Sequence, residues 1–209
     1  MYAPVPPTSG AYQLSGGFSS ASSPPQFPSI LAALQSPTCI ASTLISMVIN
    51  FVINFVWGWL AFSSGSPTPA SWPGIRVWAL SNNTCVALDL FLSALLVGGL
   101  GMLAGTGGIQ REVAAGRCGV LDPALLGHPS LRRTPLPVRG LLRRSLATGL
   151  FLVGILSTPT LILVWIAVGN GAMAGLSWVV LKAFWGAVAA AAASVIIFPS
   201  AISRDNLPA

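Results

Sequence analysis

Charged side chains are scarce in this 209-residue chain: they make up 7% of it, and only four are acids. A soluble domain of this length needs a charged exterior around its core, so this composition, with a mean hydropathy of +0.78, excludes one. One histidine and four scattered acids supply no His-Glu-x-x-His pair, no paired carboxylates and no Ser-His-Asp set. No enzyme is expected, and neither a catalytic residue, a metal site nor a cofactor. The three cysteines, Cys39, Cys85 and Cys118, are of odd number and do not make a disulfide framework. Residues 1–38 hold no lysine, arginine, aspartate or glutamate, which excludes the basic start of a cleavable secretory signal and an arginine-rich presequence.

Long apolar runs fill the space that charge leaves. Residues 39–62, 84–105, 146–169 and 174–198 each exceed the roughly 20 residues that an α-helix needs to cross a bilayer. The expected fold is an all-α membrane protein, a four-transmembrane-helix bundle over 39–198 with the first span acting as an uncleaved insertion signal. Ahead of it, residues 1–38 are rich in Pro, Ser and Gly, too poor in apolar area to offset their ordering entropy, and read as a disordered tail. Within that tail, residues 30–34 fit a short interfacial helical turn that Pro37 would end. Residues 199–209 read as a short C-terminal tail.

The net charge of +6 and a pI near 10.3 come chiefly from one connection. Residues 106–145 carry Arg111, Arg117, Arg132, Arg133, Arg139, Arg143 and Arg144 against Glu112 and Asp122. Orientation in a membrane accounts for this without nucleic acid, because an excess of arginine marks the cytoplasmic side. Both termini are then cytoplasmic, and residues 63–83 and 170–173 face outward. Trp57, Trp59, Trp165 and Trp178 fall together near the outer interface, where an aromatic belt is expected. Arg132, Arg133, Arg139, Arg143 and Arg144 are placed to meet anionic lipid headgroups. The short link at 170–173 makes the last two spans an antiparallel hairpin.

Only Asp89 and Lys182 carry charge inside the runs. At 1.5 Å per residue, Asn54, Asp89 and Lys182 lie at similar depth, roughly 8 to 13 Å from the outer ends of their helices. They form a candidate polar cluster with Asn50, which shares a face with Asn54 at a spacing of four. Three readings are open: an interhelical clamp, a proton or solute site, or a lysine that snorkels outward. Gly101 and Gly105 make a G-x-x-x-G pair, and Gly186 and Ala190 continue a small-residue face on the last span; close helix packing is the reading for both. The G-x-G-x-x-A pattern at Gly99 lacks the strand that a dinucleotide fingerprint requires. Gly107 and Gly108 read as the end of the second span. Pro159, in the third, predicts a kink.

The sequence from Asn50 to Asn54 before a Trp/Pro loop, Asp89, the run Gln110-Arg111-Glu112-Val113 with Gly116-Arg117, and Lys182 together resemble an uncharacterised family of small four-span bacterial inner-membrane proteins, loosely labelled permeases. The resemblance spans roughly residues 45–200 by those anchors and implies a bacterial cytoplasmic membrane setting. The leading functional expectation is a non-enzymatic interaction or structural component, with the lipid bilayer, a second copy or another membrane protein as partner. The alternative is a small-solute or proton-coupled transporter built on the polar cluster among spans one, two and four.

Overall fold

The computed structural model of the chain describes residues 25–63, 68–69, 72–79, 85–126, 138–169 and 171–203. Helices dominate them, and four are long and apolar enough to cross a membrane: Pro37–Ser63, Val86–Ala114, Leu142–Val168 and Gly175–Ile202. In chain order the elements are β1 (Gln26–Phe27), α1 (Ile30–Leu34), α2 (Pro37–Ser63), β2 (Ile75–Arg76), α3 (Val86–Ala114), β3 (Val120–Leu121), α4 (Val138–Leu152), α5 (Thr158–Val168), β4 (Ala172–Met173) and α6 (Gly175–Ile202). A π-helical turn, Val153–Ser157, joins α4 to α5, so that the three form one span.

Every span differs in its bounds from the apolar run that announces it. Pro37 starts α2 instead of ending α1. Its ring suits the first helical position, where no N–H is needed, and Ser36 caps the turn by accepting from the Cys39 N–H at 3.3 Å. Helix α3 runs straight through Gly107 and Gly108 and stops at Gly116, whose φ of 69° suits glycine. There the Arg117 N–H reaches the Glu112 carbonyl and the Gly116 N–H the Val113 carbonyl, both at 2.9 Å. That pair of bonds is a Schellman cap. At the other end of the chain, α6 carries Pro199 inside it and continues to Ile202.

Helix α6 packs on α2 and on α3, and α3 packs in turn on α4 and the π-turn. The buried pair at the centre is therefore α3 and α6, with α2 and the third span on either side. Large apolar side chains such as Ile45, Val48, Ile53, Leu163 and Ile166 point outward, as lipid requires. Helices α3 and α4 meet backbone to backbone: a Cβ on Gly98 would lie 2.6 Å from the Gly149 Cα.

The kink expected at Pro159 takes the form of the π-turn. Proline has no N–H to give and clashes with the preceding turn of an α-helix, and a wider turn just ahead of it removes the clash. Both the N–H and the hydroxyl of Thr158 donate to the Val153 carbonyl, the latter at 3.0 Å.

The N-terminal segment requires a correction. Apart from the helical turn expected at 30–34, which α1 (Ile30–Leu34) matches, residues 25–38 were expected to be disordered with the rest of the tail, yet they are folded onto the helices. β1 pairs in parallel with β3, with Gln26 opposite Val120 and Phe27 opposite Leu121, and Leu121 also bridges to Ser203. Ser29 caps α1 by accepting from the Ala32 N–H, and Ala33 is fully buried. Gly119 makes the junction possible, since a Cβ there would lie 2.5 Å from the Pro25 carbonyl oxygen. Composition alone missed the segment because its partners are distant in sequence. Residues 1–24 lie outside the described residues. At the opposite end of the helices β2 pairs antiparallel with β4, tying the Trp/Pro loop to the link before α6.

Candidate functional site

The two intramembrane charges meet. Asp89 lies in the first turn of α3, where the helix dipole favours a carboxylate, and Lys182 lies on the facing side of α6. Lys182 Nζ stands 2.5 Å from Asp89 Oδ1, with the lysine side chain 6% and the aspartate 18% exposed. The second carboxylate oxygen accepts from Trp178 Nε1 at 3.0 Å. Trp178 and Lys182 are one helical turn apart on α6, so a single face of that helix serves both oxygens. Trp178 is 1% exposed and is no member of an interfacial belt, whereas Trp57 and Trp165 remain outward. Tryptophan at a helix end was read as an interfacial anchor; the carboxylate a turn into the neighbouring helix was the signal for its other use.

The side-chain amides of Asn50 and Asn54 donate along their own helix. Asn54 Nδ2 donates to the Asn50 carbonyl at 2.8 Å, and Asn50 Nδ2 to the Ser46 carbonyl at 2.9 Å. Asn54 is buried against Gly186, whose missing side chain leaves room for the amide. Gly186 follows Lys182 by one turn, which sets Asn54 one layer deeper than the ion pair.

The small residues divide in the same way. Gly186 packs against Asn54 of α2, and Ala190 is buried one turn further along α6. Gly101 and Gly105 each leave ordinary contact distance, 3.4 Å, between a built Cβ and Ile197. The tighter crossing is at Gly98 and Gly149, which the G-x-x-x-G spacing did not single out because the two glycines sit on different helices. Near it, Ser157 Oγ donates to the Leu90 carbonyl at 3.1 Å, fastening the π-turn to α3.

Below the asparagines, α2, α3 and α6 enclose a crevice of about 50 Å³ lined by Ser42, Thr43, Ser46 and Asn50 from α2, with Gly101 and Ser194 among the facing residues. A second, wider groove of about 510 Å³, mostly apolar, opens between α3 and the π-turn past Leu90, Phe91 and Ser157. Neither is lined by Asp89 or Lys182.

Of the basic residues, Arg143 is exposed and Arg144 half-buried at the start of the third span. Arg132 and Arg133 lie outside the described residues, as does the side chain of Arg139. Arg117 instead forms an exposed, two-pronged ion pair with Glu112, at 2.6 and 2.8 Å. The three cysteines are buried and free. Burial pushes the Cys118 thiol, in the connection after α3, up to about 11. Among the described residues, no group of three or more histidine, cysteine, aspartate or glutamate side chains is gathered to hold a metal ion. Comparison with protein families, curated proteins and solved structures found no match.

Proposed function

We propose that the chain is a non-enzymatic, multi-pass component of the bacterial cytoplasmic membrane that works by association with another membrane protein or a second copy. In this reading the arginine-bearing end faces the cytoplasm, both termini lie there, and Arg143 and Arg144 stand at the level of anionic headgroups. The arginine excess supports that orientation, and the resemblance to four-span bacterial inner-membrane proteins supports the setting.

One observation carries the choice between component and carrier: both oxygens of the Asp89 carboxylate are engaged, one by Lys182 and one by Trp178. A carboxylate that moves protons or cations must be able to release its partners, whereas one held by a cation and an indole N–H joins two helices. The second reading, a small-solute or proton-coupled carrier, draws on the polar lining of the crevice.

Reconstitution separates the two. Proteoliposomes given a pH gradient should leak protons no faster than empty liposomes, and Asp89→Asn should leave that rate unchanged. A flux that Asp89→Asn abolishes would transfer the assignment to the carrier. Orientation is tested in intact cells with an impermeant thiol reagent on a cysteine-free background. A cysteine replacing Ser66 should be labelled and one replacing Ser130 should not, and the reverse pattern overturns the orientation.

A further inference from the structure

Ser42, Ser46 and Asn50 occupy successive turns of one face of α2, and that face borders the crevice over α6. All three are only partly buried, and they belong to a helix long and apolar enough to cross a membrane. Hydrocarbon gives such groups nothing to bond with, so leaving them against lipid tails is costly.

Bonds inside the helices meet only part of their capacity. Asn50 spends one amide hydrogen on the Ser46 carbonyl, which leaves a second hydrogen and the carboxamide oxygen with its two lone pairs. Ser194, facing them from α6, gives its only hydroxyl hydrogen to the Ala190 carbonyl at 2.9 Å and keeps its acceptor capacity. The crevice thus has donors on one wall and acceptors on both.

Its size suits one ligand. A water molecule needs on the order of 10–15 Å³ of such space and two to four polar partners. At about 50 Å³ the crevice has room for a few waters and groups to hold them. The space exists because Gly101 on α3 and Ala193 on α6 present little or no side chain to it.

We propose that this crevice is a water-binding site, in which a small cluster is hydrogen-bonded to Asn50, Ser46 and Ser194 within the membrane-spanning layer. The cluster completes the hydrogen bonding of the α2 polar face and forms part of the contact between α2 and α6. It goes beyond the functional reading above and does not depend on it.

Hydroxyl radicals made by X-ray radiolysis oxidise side chains beside bound water even where bulk solvent does not reach, which gives the test. Phe198 lines the crevice and is 1% exposed, whereas Phe62, at the other end of the helices, is 8% exposed. With the full chain in lipid nanodiscs, Phe198 should be oxidised at least as fast as Phe62, against the order of exposure. The double variant Ser46→Val, Asn50→Leu removes the polar groups, and should lower oxidation of Phe198 by roughly fivefold or more while Phe62 is unchanged. Phe198 oxidised more slowly than Phe62 in the wild-type chain overturns the proposal, and so does a Phe198 rate that the double variant leaves intact. If the variant does not fold, the wild-type comparison decides alone.

Discussion

Trp178 and Lys182 divide one carboxylate between them: the indole N–H takes Asp89 Oδ2 and the ammonium takes Oδ1. The arrangement joins α3 to α6 at the centre of the fold, and it makes the three side chains energetically dependent on one another. Asp89→Asn and Lys182→Met should each destabilise the protein strongly, by about 3–5 kcal/mol at the upper end, because each leaves a charge without its partner in a poorly solvated place. The double variant should recover much of that loss. Trp178→Phe should cost less, about 1.5–3 kcal/mol, as one hydrogen bond to a charged group. Unfolding of the full cycle in detergent measures the coupling, and single losses that simply add would rule out a clamp.

Gly98 and Gly149 set the separation of α3 and α4. A methyl group on Gly98 has no room against the backbone of the facing helix, so Gly98→Ala should lower stability by about 1–3 kcal/mol, as overpacking does. Gly99→Ala is the control, with open space around the added carbon. It should be neutral or slightly stabilising. Equal thermal midpoints for the two variants would contradict this account of the crossing.

The folded boundary of the N-terminal segment can be located by truncation. Removing residues 1–24 should leave the thermal midpoint in detergent essentially unchanged. Removing residues 1–28 takes away β1 and the Pro25 carbonyl that accepts from the Val120 N–H at 2.9 Å, and should lower it by several degrees, as expected for a loss of roughly 1–2 kcal/mol. Equal midpoints would mean that β1 adds nothing to stability.

How far the sequence reveals this structure depends on the range of the interactions. Four spans are legible because each declares itself within its own run of apolar residues. For Asp89 and Lys182 the sequence makes the similar depth legible but not the pairing, because a lysine that snorkels outward along its own helix fits the same positions. Nor is the role of Trp178 legible, because its apolar ring suits the interface equally well. The π-turn is not legible either. Buried Ser145, Thr148 and Leu152 follow helical spacing, but the next buried position is Ser157, one residue later than an α-helix would place it. Only a neighbour such as the Leu90 carbonyl, on another helix, fixes that extra residue.

Cys118 makes stability depend on pH in alkaline solution. Its thiol ionises near its ordinary value of 9.0 when the chain is unfolded and at about 11 when folded. Between those values the unfolded state binds fewer protons, so the stabilisation present below pH 9 is lost as pH rises toward 11. The thermal midpoint should fall over that window more steeply in the wild-type protein than in Cys118→Ala. Parallel curves for the two would show that the thiol is not shielded in the folded state.

The β1–β3 pairing and its bridge to Ser203 have a consequence for biosynthesis. Phe27 leaves the ribosome long before Leu121, and Leu121 long before Ser203, and a chain grows during synthesis by only about 5–20 residues per second. The first folded segment therefore waits many seconds for its partner strand, and the junction closes only after the last span has emerged. A chain truncated within α6 lacks the helix on which α1 packs and should leave the first segment as a handle that proteases can grip, so a defect at one terminus becomes a degradation signal at the other.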